Sequence, residues 1–322
     1  MMDGVVALWF LLSLLSLAFV LFDCVTNSPV SWVQKVAWLL VTLYTGPVGL
    51  FCYLLSCRRP APGTHDLFTR ATWKQALNSE VHCLAGDATG VLIAASLTTT
   101  LALANGVDLL VEYVAGFVCG LFIFQALMML PMYGGNYLVA VRKTVFAETV
   151  SMNFVMAGMF PVMLLMMSSI EGAMEVSSPR FWFSMSMASL AGGIVAFPIN
   201  HWLVRNHLKH GCMTLPGADA AAPGLGHASP EEGGHGAGSH SGHSQGHEPG
   251  AGGEQQGPGG SQGAAMHGSE SGHAESSDRS ADHGSMTMGS ISPSRALVIV
   301  VLSFGLLLAT TALTGLGVSI RF

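Results

Sequence analysis

Seven long apolar runs constrain this chain more than anything else in it. They lie near 4–22, 36–56, 81–105, 109–131, 149–170, 181–204 and 296–320. A hydrocarbon core about 30 Å thick takes about 20 helical residues to cross, and within it only a helix or a closed barrel satisfies its own backbone. The expected fold is therefore all-α, a polytopic transmembrane helix bundle of about seven spans. The first run has no basic stretch before it and no small-residue cleavage site, so it reads as a span and not a removable signal. Charge agrees with this. Only 10% of the 322 residues are charged, against about 25% in soluble domains.

Basic residues set the expected orientation. Placing the N-terminus inside puts Arg58, Arg59, Arg70, Lys74, Arg142, Lys143, Arg205, Lys209, Arg279 and Arg295 on the cytoplasmic side, with only Lys35, Arg180 and Arg321 outside. With seven spans the C-terminus is then outside. The chain divides into a six-span membrane domain (1–214), a His/Gly/Ser-rich cytoplasmic loop (215–293) and a seventh transmembrane helix (294–322). The loop has almost no large apolar residue, so it cannot bury a core and is expected to be disordered. The expected location is the inner (plasma) membrane, and the expected partner is the lipid bilayer. Net charge is −6, and no clustered Lys or Arg offers a phosphate-binding face, which excludes nucleic acid. Composition is silent on oligomeric state.

Three features carry chemistry. The first is the histidine loop, where His235, His240, His243 and His247 lie among eight histidines. Neutral imidazole binds transition metals, which makes these an accessory metal site on a flexible chain, or else residues of a low-complexity spacer. The second is a methionine stripe at 149–170. Met152, Met156, Met159, Met163, Met166 and Met167 fall on one helical face, with Glu148 one turn before Met152. Thioethers suit a soft ion such as copper, but methionine also fills packing gaps between helices.

The third feature is the start of the third run. Ionisable residues inside a span are costly and mark functional sites. Cys83 and Asp87 share one face with Glu80 behind them, while His82 points elsewhere, in line with Thr89, Ser96 and Thr100. Gly86 and Gly90 leave room for a partner beside Asp87. Gly46-Pro47 and Pro161 interrupt the second and fifth runs. Gly116-x-x-x-Gly120 allows close helix approach. Asn153 and Asn200 suit interhelical hydrogen bonds.

The six cysteines form no C-x-x-C pair, which argues against zinc fingers and a disulfide framework. No nucleotide-binding, hydrolase or zinc-protease motif is present, and the expectation is that the chain is not an enzyme. The strings His82-Cys83-Leu84-Ala85-Gly86-Asp87-Ala88-Thr89-Gly90 and Ser151-Met152-Asn153-Phe154-Val155-Met156-Ala157-Gly158-Met159-Phe160-Pro161-Val162-Met163 resemble a bacterial membrane family known as a domain of unknown function. Tyr44-Thr45-Gly46-Pro47 and Leu208-Lys209-His210-Gly211 fit the same likeness, which spans roughly residues 35 to 215. The resemblance implies a fold class and a bacterial origin but no activity.

The residues support a first expectation of a membrane protein that binds or transports a soft transition metal, copper above others. His82, Cys83, Asp87, Glu148, Met152, Met156, Met159 and Met163 would be its membrane ligands. The alternatives are a proton-coupled small-solute carrier titrating at Asp87 and Glu148, and a non-catalytic scaffold or assembly factor.

Overall fold

The computed structural model describes residues 2–101, 106–211, 289 and 291–317. The loop histidines His235, His240, His243 and His247 lie outside the described residues, as do 215–288 and 290 of the segment expected to be disordered. What is described is a membrane-type helix bundle with no strand among the described residues. Six helical stretches are long and apolar enough to span a bilayer: Met2–Thr26, Thr72–Thr98, Val107–Tyr133, Tyr137–Ser169, Pro179–Arg205 and Pro293–Gly317.

The second expected span, 36–56, is not one helix. It folds as α2 (Trp32–Thr45) and α3 (Pro47–Ser56) around Gly46, after α1 (Met2–Thr26). Gly46 has φ 57° and ψ −132°, a conformation open to glycine alone at low cost. A Cβ there would also strike Ser13 of α1. Pro47 then starts α3, where its missing N–H and fixed φ cost nothing.

The two helices run antiparallel. Trp38 of α2 stacks edge-on against Tyr53 of α3, with centroids 5.4 Å apart. Asn78 bridges the open end, accepting from Gln34 Nε2 at 3.2 Å and donating to the Ser56 carbonyl at 2.9 Å. The C-terminal end of α1 sits there too. Tyr53 donates to Asp23 at 2.6 Å, and Arg58 pairs with Asp23 at 3.3 Å. At 1.5 Å per residue, α2 and α3 are about 21 and 15 Å long, too short to cross singly. They form a re-entrant hairpin that returns to the end where it began.

The crossing count is thus six, and the expected split of the termini gives way to Met2 and Gly317 at one end of the bundle. Of the eleven Lys and Arg among the described residues, only Arg180 lies at that end, paired with Asp3 at 2.8 Å. Lys35 joins the other nine at the hairpin end.

A short α4 (His65–Thr69) precedes α5 (Thr72–Leu101), the bundle's most buried span. α6 (Val107–Val118) continues through a π-helical segment, Cys119–Gln125, then α7 (Ala126–Met129) and a 3-10 turn, Leu130–Tyr133. α8 (Tyr137–Ser169), α9 (Pro179–Arg205) and α10 (Pro293–Gly317) complete the path. Small residues set the closest approaches. Gly86 faces Gly120, and Gly90 faces Ala115 and Gly116, so two small-x-x-x-small pairs interlock between α5 and α6. Gly158 packs on Ala191 and Gly192 to join α8 and α9.

Candidate functional site

The interlocked glycines bring Asp87 against the π-helical segment, and a buried polar cluster grows from there. Asp87 and Cys83 come from α5, Glu148 and Ser151 from α8, and Asn200 from α9. Cys83, Asp87, Glu148, Ser151 and Asn200 are all fully buried. Cys83 Sγ donates to Glu148 Oε2 at 2.7 Å. Ser151 donates to Asn200 Oδ1 at 3.0 Å, while Asn200 Nδ2 donates to the Ala196 carbonyl.

The cation of the cluster comes from outside every helix. α9 ends at Arg205 with Asn206 as its cap, and His207 takes φ +57°, a left-handed position uncommon for a residue with a Cβ. The Leu208 N–H reaches back to the Leu203 carbonyl at 2.9 Å, and Leu208 packs against Leu203. This is a Schellman-type cap. It turns the chain back under the bundle, where Gly211 lies against the backbone of Gln75 too closely for any Cβ. Lys209 is thereby driven inward, only 2% exposed. Its Nζ donates to Cys83 Sγ and to Asn200 Oδ1, both at 2.7 Å.

Opposite the lysine, Asp87 and Glu148 share the space above Gly120. A Cβ at Gly120 would meet Asp87 Oδ1 and Glu148 Oε1, so the absence of a side chain there makes the cavity the carboxylates fill. Neither oxygen of Asp87 has a hydrogen-bond partner, and Glu148 Oε1 has none either. The π-helical segment Cys119–Gln125 begins at this point, and such bulges are frequent at functional sites.

The expected metal ligands divide into groups. Cys83, Asp87 and Glu148 do converge, and Met152 joins them at the edge: its Cε and the Asp87 carbonyl both border Gly116. Met156, Met159 and Met163 are buried in the core, with Met159 against Gly192 of α9. The methionine stripe thus faces inward but divides its neighbours between α6 and α9. His82 stands apart, buried on the other face of α5 and bonded to Gln34 of the hairpin. Among the described residues, no three His, Cys, Asp or Glu side chains are grouped as a metal ion requires.

Lys209 is the residue that the sequence reading missed as part of a site. No periodicity points at it, because it follows the helix. The only signal was its place in the Leu208-Lys209-His210-Gly211 string. The asparagines do what was expected: Tyr113 donates to Asn153 at 2.8 Å, and Asn153 to Ser303 of α10 at 2.9 Å.

Residues 72–209 match the family model described as Domain of unknown function (DUF4396). The matched stretch runs from the first residue of α5 to Lys209 and contains every member of the cluster. The hairpin and α10 lie outside it. A comparison with curated proteins and with solved structures gave no match.

Proposed function

We propose that this multi-pass membrane protein is a carrier that takes up one proton at the Asp87–Glu148 pair and couples it to movement of a small solute. Charge balance is the observation that supports this reading. Two carboxylates and one ammonium lie in a site closed to water, so one negative charge is left over. Burying an uncompensated charge costs several kcal/mol, and like charges sharing a site cannot both ionise. A proton shared by the pair completes the balance, and its arrival or loss changes what Lys209 must offset. Lys209 sits on the segment that caps α9, so a protonation change at the pair pulls on a chain turn at the basic end of the bundle.

The basic end is the cytoplasmic one by the positive-inside rule. In this reading both ends of the described path, Met2 and Gly317, face outward, and the loop after α9 begins inside.

The test is a pH jump applied to proteoliposomes adsorbed on a supported membrane. The wild-type chain should give a transient charge displacement; Asp87→Asn and Glu148→Gln should not. Infrared difference spectra across the same jump should show one carboxylic C=O band that both substitutions abolish. A wild-type protein with neither signal overturns the carrier reading.

A soft-metal function is the second reading, favoured by the convergence of Cys83, Asp87, Glu148 and Met152. Thiolate and thioether are copper donors. Against it stands Lys209, whose ammonium donates to the one sulfur that a metal would need as thiolate. Stoichiometric copper retained by the purified protein, and lost on Cys83→Ser, would support this reading over the first.

A further inference from the structure

A second buried carboxyl lies outside the cluster. Glu80 is on α5, one turn before Cys83, and is 3% exposed. Its Oε2 is buried without a hydrogen-bond partner, and its Oε1 points toward Gly193 of α9. Lys209, the nearest ammonium, is engaged by Cys83 and Asn200. Glu80 therefore has no partner of its own.

It borders a cavity of about 280 Å³ between the re-entrant hairpin, α5 and α9. Trp38, Thr45 and Gly49 form the hairpin wall, with Leu84, Gly193 and Phe197 opposite. On the rim, Val48 and Ile194 are exposed on the outer surface of the bundle, so the cavity opens sideways, toward lipid. The volume is at the lower end of ligand pockets, which combine apolar walls with a few polar groups that fix orientation. Here the walls are apolar and aromatic, and one carboxyl faces the space they enclose. An aromatic wall also suits a cation, through the ring face.

We propose that this cavity binds a lipophilic monocation, a small apolar molecule with a single amine head that pairs with Glu80. Such a molecule partitions into the bilayer, enters past Val48 and Ile194, and supplies the charge and the donor that Glu80 lacks. The proposal stands apart from proton uptake at Asp87 and Glu148, and its test does not depend on transport.

The test is calorimetric titration of the full chain in lipid nanodiscs with phenethylamine, phenethyl alcohol and phenylacetate, which share one apolar body and differ in head charge. The amine should bind saturably and most tightly, and phenylacetate should not bind. Glu80→Gln should weaken the amine by at least about tenfold, the effect of losing one charge-assisted hydrogen bond in a dry site, while leaving the alcohol within about twofold. Gly193→Leu keeps the carboxyl but fills the space. The nearest atoms to a Cβ there are in ordinary contact at 3.4 Å, so the chain should fold and lose both ligands. The proposal is overturned by absence of saturable amine binding to the wild type, by an alcohol that binds as tightly as the amine, or by amine binding that survives Gly193→Leu. Unchanged amine affinity in Glu80→Gln overturns it equally.

Discussion

Replacing Lys209 by Met keeps the side chain's length and apolar stem but deletes its charge. Asn200 Oδ1 still accepts from Ser151 at 3.0 Å, and Cys83 still donates to Glu148 at 2.7 Å, so few hydrogen bonds are lost outright. The cost is electrostatic. The Asp87–Glu148 pair, sharing one proton, then keeps one buried negative charge with no cation, and removing one partner of a buried ion pair costs about 3–5 kcal/mol. At about 2–4 °C per kcal/mol for a protein of this size, the melting temperature should fall by about 6–20 °C. Glu148→Gln alone should be much milder, since it leaves Asp87 balanced by Lys209. The double variant Lys209→Met with Glu148→Gln leaves the same single uncompensated charge, now on Asp87 alone, and should melt close to Lys209→Met. Thermal unfolding in detergent at neutral pH, followed by fluorescence-detected size exclusion, measures all four proteins. A Lys209→Met variant within about 1 kcal/mol of wild type would refute the charge-balance reasoning. So would a double variant that recovers most of the Lys209→Met loss, because the pair would then have carried two negative charges and no shared proton.

Gly120→Ala should destabilise by about 1–3 kcal/mol, as overpacking does, where an open helical site would gain from the same change; a stability gain would show the carboxylates do not fill that space. Met156→Leu together with Met159→Leu should cost under about 1.5 kcal/mol each and leave copper tolerance unchanged, and a collapse of tolerance at normal expression would revive the soft-metal reading. Reporters fused before Met1 and after Phe322 should report the same side, and one inserted at Gly250 the opposite side. Opposite reports from the two termini would mean that the hairpin crosses. His210 is pushed below an imidazole's ordinary 6.5 by burial, with His207 adding to it, and its Nε2 is unpartnered. Its neutral form is favoured in the fold, so the stability it contributes is present above pH 6.5 and is lost as pH falls below that; His210→Gln should flatten this acid limb in melting curves, and an unchanged limb would assign it elsewhere.

The helical bundle was legible because a long apolar run has few alternatives in a bilayer. The crossing count was less so. Residues 36–56 are apolar throughout, and hydropathy cannot distinguish one helix that crosses from two that return. The information lies in Gly46, whose positive φ depends on Ser13 of another helix filling the space where a Cβ would be. Lys35 carried a further hint: counted as the odd basic residue outside, it lies at the basic end once the hairpin is recognised. Half of the polar cluster was legible for a similar reason. Cys83, Asp87 and Glu148 stand out as ionisable groups within spans. Lys209 does not, because a lysine just past a helix end ordinarily snorkels to the interface, and only the His207 turn reverses it. Gly120 was read for packing alone, and it serves packing against Gly86 and the carboxylates at once.

The two faces of α5 connect these findings. One face carries Cys83 and Asp87 into the charged cluster. The other carries His82 to Gln34 of the hairpin, and Thr89 to the Tyr44 hydroxyl at 2.8 Å, two residues before Gly46. Asn78, one turn before His82, holds both ends of the hairpin through Gln34, Trp38 and Ser56. Any rotation or tilt of α5 that follows a change of charge at Asp87 therefore acts on the hairpin through side chains already bonded to it. Glu80 lies between the two networks, on the wall of the cavity that the hairpin closes. A helix tied to the Asp87–Glu148 pair on one side and to a half-membrane hairpin on the other would, in the carrier reading, convert one event into the other. In the carrier reading that coupling would run through three hydrogen-bonded side chains, Asn78, His82 and Thr89, and not through the glycine contacts that hold α5 to α6. Substitutions at those three residues should uncouple proton uptake from solute movement without unfolding the bundle, whereas substitutions at Gly86 or Gly90 should unfold it.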